Sequence, residues 1–247
     1  FSGESYGTTH EMSMSAYDCA VMYKELQHYM RTKTRLGIPL LTSAEGIQGI
    51  IQNNCTLFPH ALAQGSTFNP ELIQQMTEAA GEEAKAIGIH QILSSVFDIA
   101  RELRWGRIEE TYGEDPYLVG ELGKQMITSL QKHNLVATPK HFAVYSIPVG
   151  GRDGKTRTDP HVAPREMRTL YIEPFRMAFQ EAGALGVMSS YNDYDGEPIT
   201  GSYHFLTEIL RQEWGFKGYV VSDSEAVEFI SSKHKVANTY EDGIAQA

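Results

Sequence analysis

The side chains with the greatest chemical capacity in this sequence stand directly after short apolar runs. In chain order they are Ser43 and Glu45, Asp98, Lys140 and His141, Tyr191 and Asn192, and Ser222 and Asp223. A carboxylate can attack carbon or transfer a proton, and lysine, histidine and tyrosine donate hydrogen bonds to hydroxyl groups. Hydrolysis of a glycoside needs one carboxylate beside the anomeric carbon and an acid that protonates the leaving oxygen. These residue types favour sugar chemistry, and because they form no metal-ligand cluster we expect neither a metal nor a cofactor.

The apolar runs that precede these residues are typical of buried parallel strands. They are short, rich in Val, Ile and Leu, and bounded by Gly or Pro. The sequence predicts strands at residues 37–41, 89–96, 135–138, 185–188 and 218–221.

Helix signals occupy the segments between the runs. Asn69 before a proline predicts a helix start, and Gly88 predicts the end of that helix. Asp115 before another proline predicts a second start. A third helical pattern begins near Pro164 and must break or kink at Pro174.

This alternation of strands and helices predicts an α/β fold with a parallel sheet. Both a (β/α)₈ barrel and a doubly wound sheet place their sites at the carboxyl ends of the strands. A doubly wound sheet normally carries a glycine-rich phosphate turn after its first strand, and none appears here. We therefore predict a TIM-type barrel. Only about five of its eight strands are visible, so we expect the barrel to be incomplete in this chain.

Composition excludes several classes of partner. The chain has 247 residues with 21 Lys and Arg against 31 Asp and Glu, which gives a net charge of −10. Nucleic-acid binders usually carry a basic stripe, so we expect no nucleic-acid partner. No run approaches the roughly 18 apolar residues of a membrane-spanning helix, so we expect no membrane insertion. The two cysteines are too few for a disulfide scaffold.

Four motifs together resemble the N-terminal barrel domain of glycoside hydrolase family 3. They are WGRIEETYGEDP at 105–116, PKHF at 139–142, MSSYN at 188–192 and GFKGYVVSD at 215–223. Each motif is weak alone, but their order matches that of the family. The resemblance implies a retaining exo-β-glycosidase, a β-xylosidase or β-glucosidase, that hydrolyses terminal β-linked sugars of oligosaccharides or aryl β-glycosides.

The resemblance also implies roles for individual residues. Asp223 is the expected nucleophile, which forms a covalent glycosyl-enzyme. The residues expected to line the terminal-sugar subsite are Glu45, Asp98, Arg107, Lys140, His141 and Tyr191. Positive charge near Asp223 lowers the pKa of its carboxyl group, so we expect Lys140 and Arg107 to help keep it ionised.

The remaining parts of such an enzyme are expected outside this sequence. The resemblance implies that residues 1–247 are part of one catalytic domain, with the rest of the barrel and a second α/β sandwich domain downstream. The general acid/base is expected to be a glutamate of that second domain. The resemblance also implies a bacterial periplasmic or secreted enzyme.

Two positions depart from the family pattern. The family commonly has D-x-x-H-G where this chain has Glu45-Gly46-Ile47-Gln48-Gly49. Glutamate is one methylene longer than aspartate and would crowd the hydroxymethyl arm of a hexose, which favours a pentose such as xylose. One methylene provides about 1–3 kcal/mol of discrimination. Ser224 stands where many β-glucosidases of the family have Trp, which removes one aromatic wall of the leaving-group subsite.

Two other readings stay open at this point. The β-N-acetylglucosaminidases of the family use an Asp-x-His pair as acid/base, and Asp159 and His161 have that spacing. Alternatively, the chain belongs to a sugar-binding relative that has lost its chemistry, although the nucleophile position is still Asp.

Overall fold

The computed structural model describes residues 14–147 and 158–247, in which short strands alternate with helices. The strands are β1 (Ser43–Glu45), β2 (Gln91–Leu93), β3 (Val136–Ala137), β4 (Gly186–Ser189), β5 (Asp193–Tyr194), β6 (Glu197–Pro198) and β7 (Tyr219–Ser222). The α-helices are α1 (Ala16–Lys33), α2 (Ala61–Gly65), α3 (Pro70–Ile87), α4 (Pro116–Lys132), α5 (Pro164–Glu166), α6 (Glu173–Gln180), α7 (Ala226–Ser232) and α8 (Tyr240–Gln246). Two 3₁₀ turns (Ile108–Glu110 and Ile199–Gly201) and two π-helical segments (Met167–Tyr171 and His204–Glu213) complete the order. The predicted α/β class is therefore correct.

The parallel strands lie side by side in chain order. β1 pairs with β2, β2 with β3, and β4 with β7, all in parallel. A bridge between Phe142 and Ser189 joins the two groups, with the amide of Phe142 donating to the carbonyl of Met188 at 2.8 Å. β5 and β6 form a separate antiparallel hairpin. No reversal of strand order occurs among the described residues, unlike in a doubly wound sheet, and those residues do not close into a complete barrel.

The first strand does not lie where the sequence predicts it. The run at 37–41 is irregular, and β1 begins at Ser43. Leu36, Ile38 and Leu41 are exposed. The side-chain amide of Gln27 donates to the carbonyl of Leu40 at 2.8 Å and accepts from its N–H at 2.9 Å. An α1 side chain thus satisfies the backbone that the prediction assigned to the sheet.

The predicted helix boundaries are confirmed. The side chain of Asn69 accepts from a backbone N–H of α3, and that helix ends at Gly88 with φ 95°. The side chain of Asp115 caps α4 by accepting from the amide of Leu118 at 2.7 Å. The helical segment that starts at Pro164 stops before α6, which carries a proline in its first turn.

A glycine allows α4 to approach the strand end that carries Asp98. Phe97 is fully buried, and a Cβ at Gly123 would collide with its ring. Only glycine permits this separation between the helix backbone and the ring. The close packing fixes the backbone beside Asp98 from the helix side of the sheet.

Candidate active site

Asp223 follows β7 directly and extends its ladder, because its amide donates to the carbonyl of Ser189 at 3.1 Å. The backbone N–H of Ser224 donates to Oδ1 of Asp223 at 2.8 Å. Oδ2 lies 3.6 Å from Nε2 of His141 and 4.0 Å from Nη1 of Arg107. Both separations exceed hydrogen-bond length, and within the described ranges Oδ2 has no hydrogen-bond partner. One carboxylate oxygen is therefore held by a backbone amide, and the other lies beyond hydrogen-bond length from both His141 and Arg107.

Burial and charge act on this carboxyl group in opposite directions. Burial raises the pKa of Asp223, while Arg107, Lys140, the N–H of Ser224 and the Tyr191 hydroxyl lower it. The net effect is a raised pKa. Lys140 and Arg107 thus lower the pKa of Asp223 as expected, but burial, which was not predicted, raises this pKa by more.

Asp98 and His141 form a buried pair next to the carboxyl group of Asp223. Oδ2 of Asp98 lies 2.7 Å from Nδ1 of His141 and also accepts from the His141 backbone N–H at 3.0 Å. Both side chains are only 1% exposed. Burial raises the pKa of Asp98 to about 8. Burial, together with the charges of Arg107 and Lys140, holds the pKa of His141 well below its ordinary value.

Glu45 and Lys140 form a second pair, which joins the ends of the first and third strands. Nζ of Lys140 donates to both carboxylate oxygens of Glu45, at 2.8 and 2.6 Å. The Lys140 side chain is 2% exposed and that of Glu45 is 27% exposed. Lys140 also lowers the pKa of Asp223, so one cation serves two carboxylates.

Arg107 lies between a carboxylate and aromatic rings. Its Nε and Nη2 donate to the two oxygens of Glu110, both at 2.8 Å. Its guanidinium carbon is 6.0 Å from the centre of the Trp105 ring and 5.7 Å from that of Tyr145. Trp105 and Tyr145 are fully buried and meet edge to face, with ring centres 5.0 Å apart. Glu110, Trp105 and Tyr145 thus lie around the Arg107 side chain.

All seven predicted site residues thus lie in one connected group. Asp98 contacts His141, Glu45 contacts Lys140, and Asp223 is near Arg107, His141, Lys140 and Tyr191. The chemistry available to the group is nucleophilic attack by a carboxylate surrounded by hydrogen-bond donors and positive charge.

Residues 9–245 match the family described as glycosyl hydrolase family 3 N terminal domain. The chain belongs to this family. A β-xylosidase of Formosa agariphila is 36% identical over 217 residues, which are 82% of this chain and 30% of the relative. A periplasmic β-glucosidase of Salmonella typhimurium is 30% identical over 230 residues, which are 91% of this chain and 29% of the relative.

A solved β-glucosidase structure is similar to this chain over nearly its whole length. The β-glucosidase of Listeria innocua in complex with glucose superposes with a TM-score of 0.83 at 34% identity, covering 95% of this chain and 32% of that one. The chain thus spans about 30% of the length of the curated relatives that it matches.

Glu110 and Tyr145 both contact a predicted site residue, Arg107, but were not predicted from the sequence. Glu110 lies within the motif at 105–116 but received no role, although Arg-x-x-Glu spacing favours an ion pair in a helical turn. Tyr145 follows the PKHF motif by three residues, and nothing in its local sequence distinguishes it from a core tyrosine.

Asp159 and His161 lie near each other, with Nδ1 of His161 3.5 Å from Oδ1 of Asp159. Oδ2 of Asp159 accepts from the amide of Gly196 at 3.0 Å, and Oδ1 accepts from the His161 backbone N–H at 2.9 Å. The His161 side chain is 87% exposed. In the described part of the chain, this family 3 domain uses Asp159 to hold the β5–β6 turn.

Proposed function

We propose that the complete protein carrying this chain is a retaining exo-β-glycosidase with Asp223 as its nucleophile. The main support is the Asp223 carboxyl group, in which Oδ1 is hydrogen-bonded and Oδ2 has no hydrogen-bond partner among the described residues. Arg107 lies near that oxygen, and its charge lowers the pKa of Asp223, as a nucleophile that must remain ionised requires.

In the first step, an Asp223 oxygen attacks the anomeric carbon of the terminal sugar. The bond from that carbon to the leaving oxygen breaks, and an acid protonates the leaving oxygen. In the second step, water attacks the anomeric carbon and gives its proton to the base left by that acid, while the bond from the carbon to the Asp223 oxygen breaks. The sugar hydroxyls form hydrogen bonds with Lys140, His141, Arg107 and Tyr191.

The general acid/base is proposed to come from outside this chain. The other carboxylates of the site are already engaged, Glu45 with Lys140, Asp98 with His141 and Glu110 with Arg107. Each therefore lacks the freedom to move a proton between the enzyme and the leaving group. A glutamate on a downstream α/β domain remains our proposal for this role.

The five parallel strands are proposed to be part of a (β/α)₈ barrel. Strands in chain order with the site at their carboxyl ends are the pattern of that fold. β4 is wholly buried, whereas every residue of β7 is partly exposed. In the described ranges β7 pairs only with β4, so its other edge is available to the next strand of a barrel.

Xylosides are the proposed preferred substrates. Glu45 extends from the end of β1 and is the partly exposed member of its pair, so its longer side chain can limit the room for a hydroxymethyl group. The similarity to the β-xylosidase of Formosa agariphila supports xylose, while the β-glucosidases support a related hexose activity.

A periplasmic location is proposed on the similarity to the Salmonella typhimurium enzyme. Separately, none of the helices described is long and apolar enough to cross a membrane.

Covalent labelling of the complete protein tests this function. It is incubated with 2-deoxy-2-fluoro xyloside and glucoside probes, followed by intact-mass measurement and peptide mapping. We expect one glycosyl adduct, on Asp223, formed faster with the xyloside. The Asp223→Asn variant is expected to lose the adduct and more than about 1000-fold in kcat/KM.

Asp115→Asn is the matched control, because asparagine is also a good helix cap and this variant should label normally. Hydrolysis without a label on Asp223 would show that the nucleophile is wrong. A protein that binds sugar but neither labels nor hydrolyses would be a non-catalytic relative.

A further inference from the structure

We infer that Glu110 and Tyr145 are positioning residues that hold the Arg107 guanidinium at the nucleophile. This inference rests on the proposed function, because it assigns a purpose to a cation beside Asp223. Both residues contact Arg107 directly, and the proposed role acts on Asp223 through that arginine.

Glu110 fixes the orientation of the guanidinium plane. It engages Nε and Nη2 together, at 2.8 Å each, which is the paired geometry that leaves little rotation. The remaining terminal nitrogen, Nη1, is the one that lies 4.0 Å from Oδ2 of Asp223. The side chains of Arg107 and Glu110 are only 8% and 12% exposed, so water competes little for these donors.

Tyr145 fixes the position of the same group from another side. The guanidinium of Arg107 donates a hydrogen bond to the Tyr145 hydroxyl and also lies near its ring. The ring is held in turn by His141 and Tyr191, with ring centres 5.2 and 5.8 Å away. Tyr145 therefore links the arginine to two other residues of the site.

The expected phenotype differs from that of a simple packing defect. Arg107 lowers the pKa of Asp223, so an arginine that has turned away would raise it. The other groups facing Asp223 are Asp98, Lys140, His141, Tyr145, Tyr191 and the N–H of Ser224. These groups are unchanged in a Glu110 variant.

The direction in which the kcat/KM profile shifts with pH distinguishes a positioning role of Glu110 from a purely electrostatic one. In Glu110→Gln, loss of the negative charge alone would strengthen the field of Arg107 and move the acidic limb of the kcat/KM profile to lower pH. If the guanidinium of Arg107 instead turns away from Asp223 because Glu110 no longer orients it, that limb would move to higher pH. We expect higher pH, with a fall in kcat/KM of about tenfold or more that lies mainly in kcat.

The test uses the complete protein with Glu110→Gln, Glu110→Asp and Tyr145→Phe. Glu110→Asp keeps the charge and should recover part of the activity. Tyr145→Phe keeps the ring and removes the hydroxyl, and it should shift the limb in the same direction as Glu110→Gln. Glu109→Gln and Tyr117→Phe, both at exposed positions, are the controls and should behave as wild type.

The inference would be overturned if the acidic limb of the kcat/KM profile stayed in place or moved to lower pH in Glu110→Gln. Crystal structures of the variants provide a readout without turnover, since we expect Nη1 of Arg107 to lie further from Asp223 than 4.0 Å. An unmoved guanidinium would also overturn it. If the wild type hydrolyses no glycoside, the proposed function fails, and the crystal structures still decide the inference.

Discussion

The two buried pairs of the site differ in their access to solvent. The side chains of Asp98 and His141 are both 1% exposed, and Oδ2 of Asp98 is hydrogen-bonded to both the backbone N–H and Nδ1 of His141. Glu45 is 27% exposed although its partner Lys140 is 2% exposed. Glu45 is the more accessible of the two carboxylates, so we propose that it contacts the sugar directly, whereas Asp98 fixes His141.

The largest expected effect is the loss of stability when the fully buried pair is broken. Asp98→Ala removes the hydrogen-bond partner of both the backbone N–H and Nδ1 of His141, and each orphaned group costs about 1–3 kcal/mol, so the free energy of unfolding should fall by about 2–6 kcal/mol. Denaturant unfolding of the complete protein measures this. Glu45→Ala is the comparison, and we expect it to cost less than half as much because water can reach the vacated position. If Asp98→Ala and Glu45→Ala lowered the free energy of unfolding equally, the two pairs would not differ in their contribution to stability.

The pH dependence of stability sharpens the same comparison. The pKa of Asp98 is about 8 in the folded protein because of burial, against about 4 in an unfolded chain. The unfolded chain therefore releases its proton first, and stability decreases as pH rises from about 4 to about 8. Asp98→Asn cannot titrate, so its free energy of unfolding should fall less over this range than that of wild type.

Unfolding curves at several pH values, with Asp115→Asn as the control, measure this difference. If the free energy of unfolding changed with pH in the same way in wild type and in Asp98→Asn, Asp98 would not hold its proton in the folded protein.

The partly exposed pair is expected to control sugar preference. Glu45→Asp shortens the side chain by one methylene and gives room for a hydroxymethyl group. We expect the ratio of kcat/KM for xylosides over glucosides to fall by about 10–200-fold. Steady-state kinetics with matched aryl glycosides measure the ratio. Asp98→Asn should change kcat/KM for xylosides and glucosides by the same factor. A change for only one of the two sugars would contradict the assignment of sugar preference to Glu45.

The smallest expected effect comes from a carboxylate outside both pairs. Asp115→Ala removes the cap of α4 and should lower the free energy of unfolding by about 1 kcal/mol with no change in sugar preference. Thermal unfolding and kinetics of one preparation measure both quantities. A larger loss of activity than of stability would show that the cap also supports the site.

Several elements of the structure could be predicted from local sequence. Asn69, Gly88 and Asp115 mark helix ends because their side chains or backbone satisfy groups that lie within a few residues. The first strand was placed wrongly, since the competing hydrogen bonds come from Gln27, which is distant in sequence. Tyr145 was missed for the same reason, because its neighbours His141, Trp105 and Tyr191 meet only in the folded chain.

The sequence by itself determined the residue types of the site, the order of the strands that carry them and membership of the family. Those follow from local patterns, in which an apolar run ends in a polar residue and a motif keeps its spacing. Tertiary structure decided which charges are paired, which are buried and how far each lies from Asp223. Burial and separation depend on packing between distant segments, and they set both the raised pKa of Asp223 and the position of Arg107 beside it.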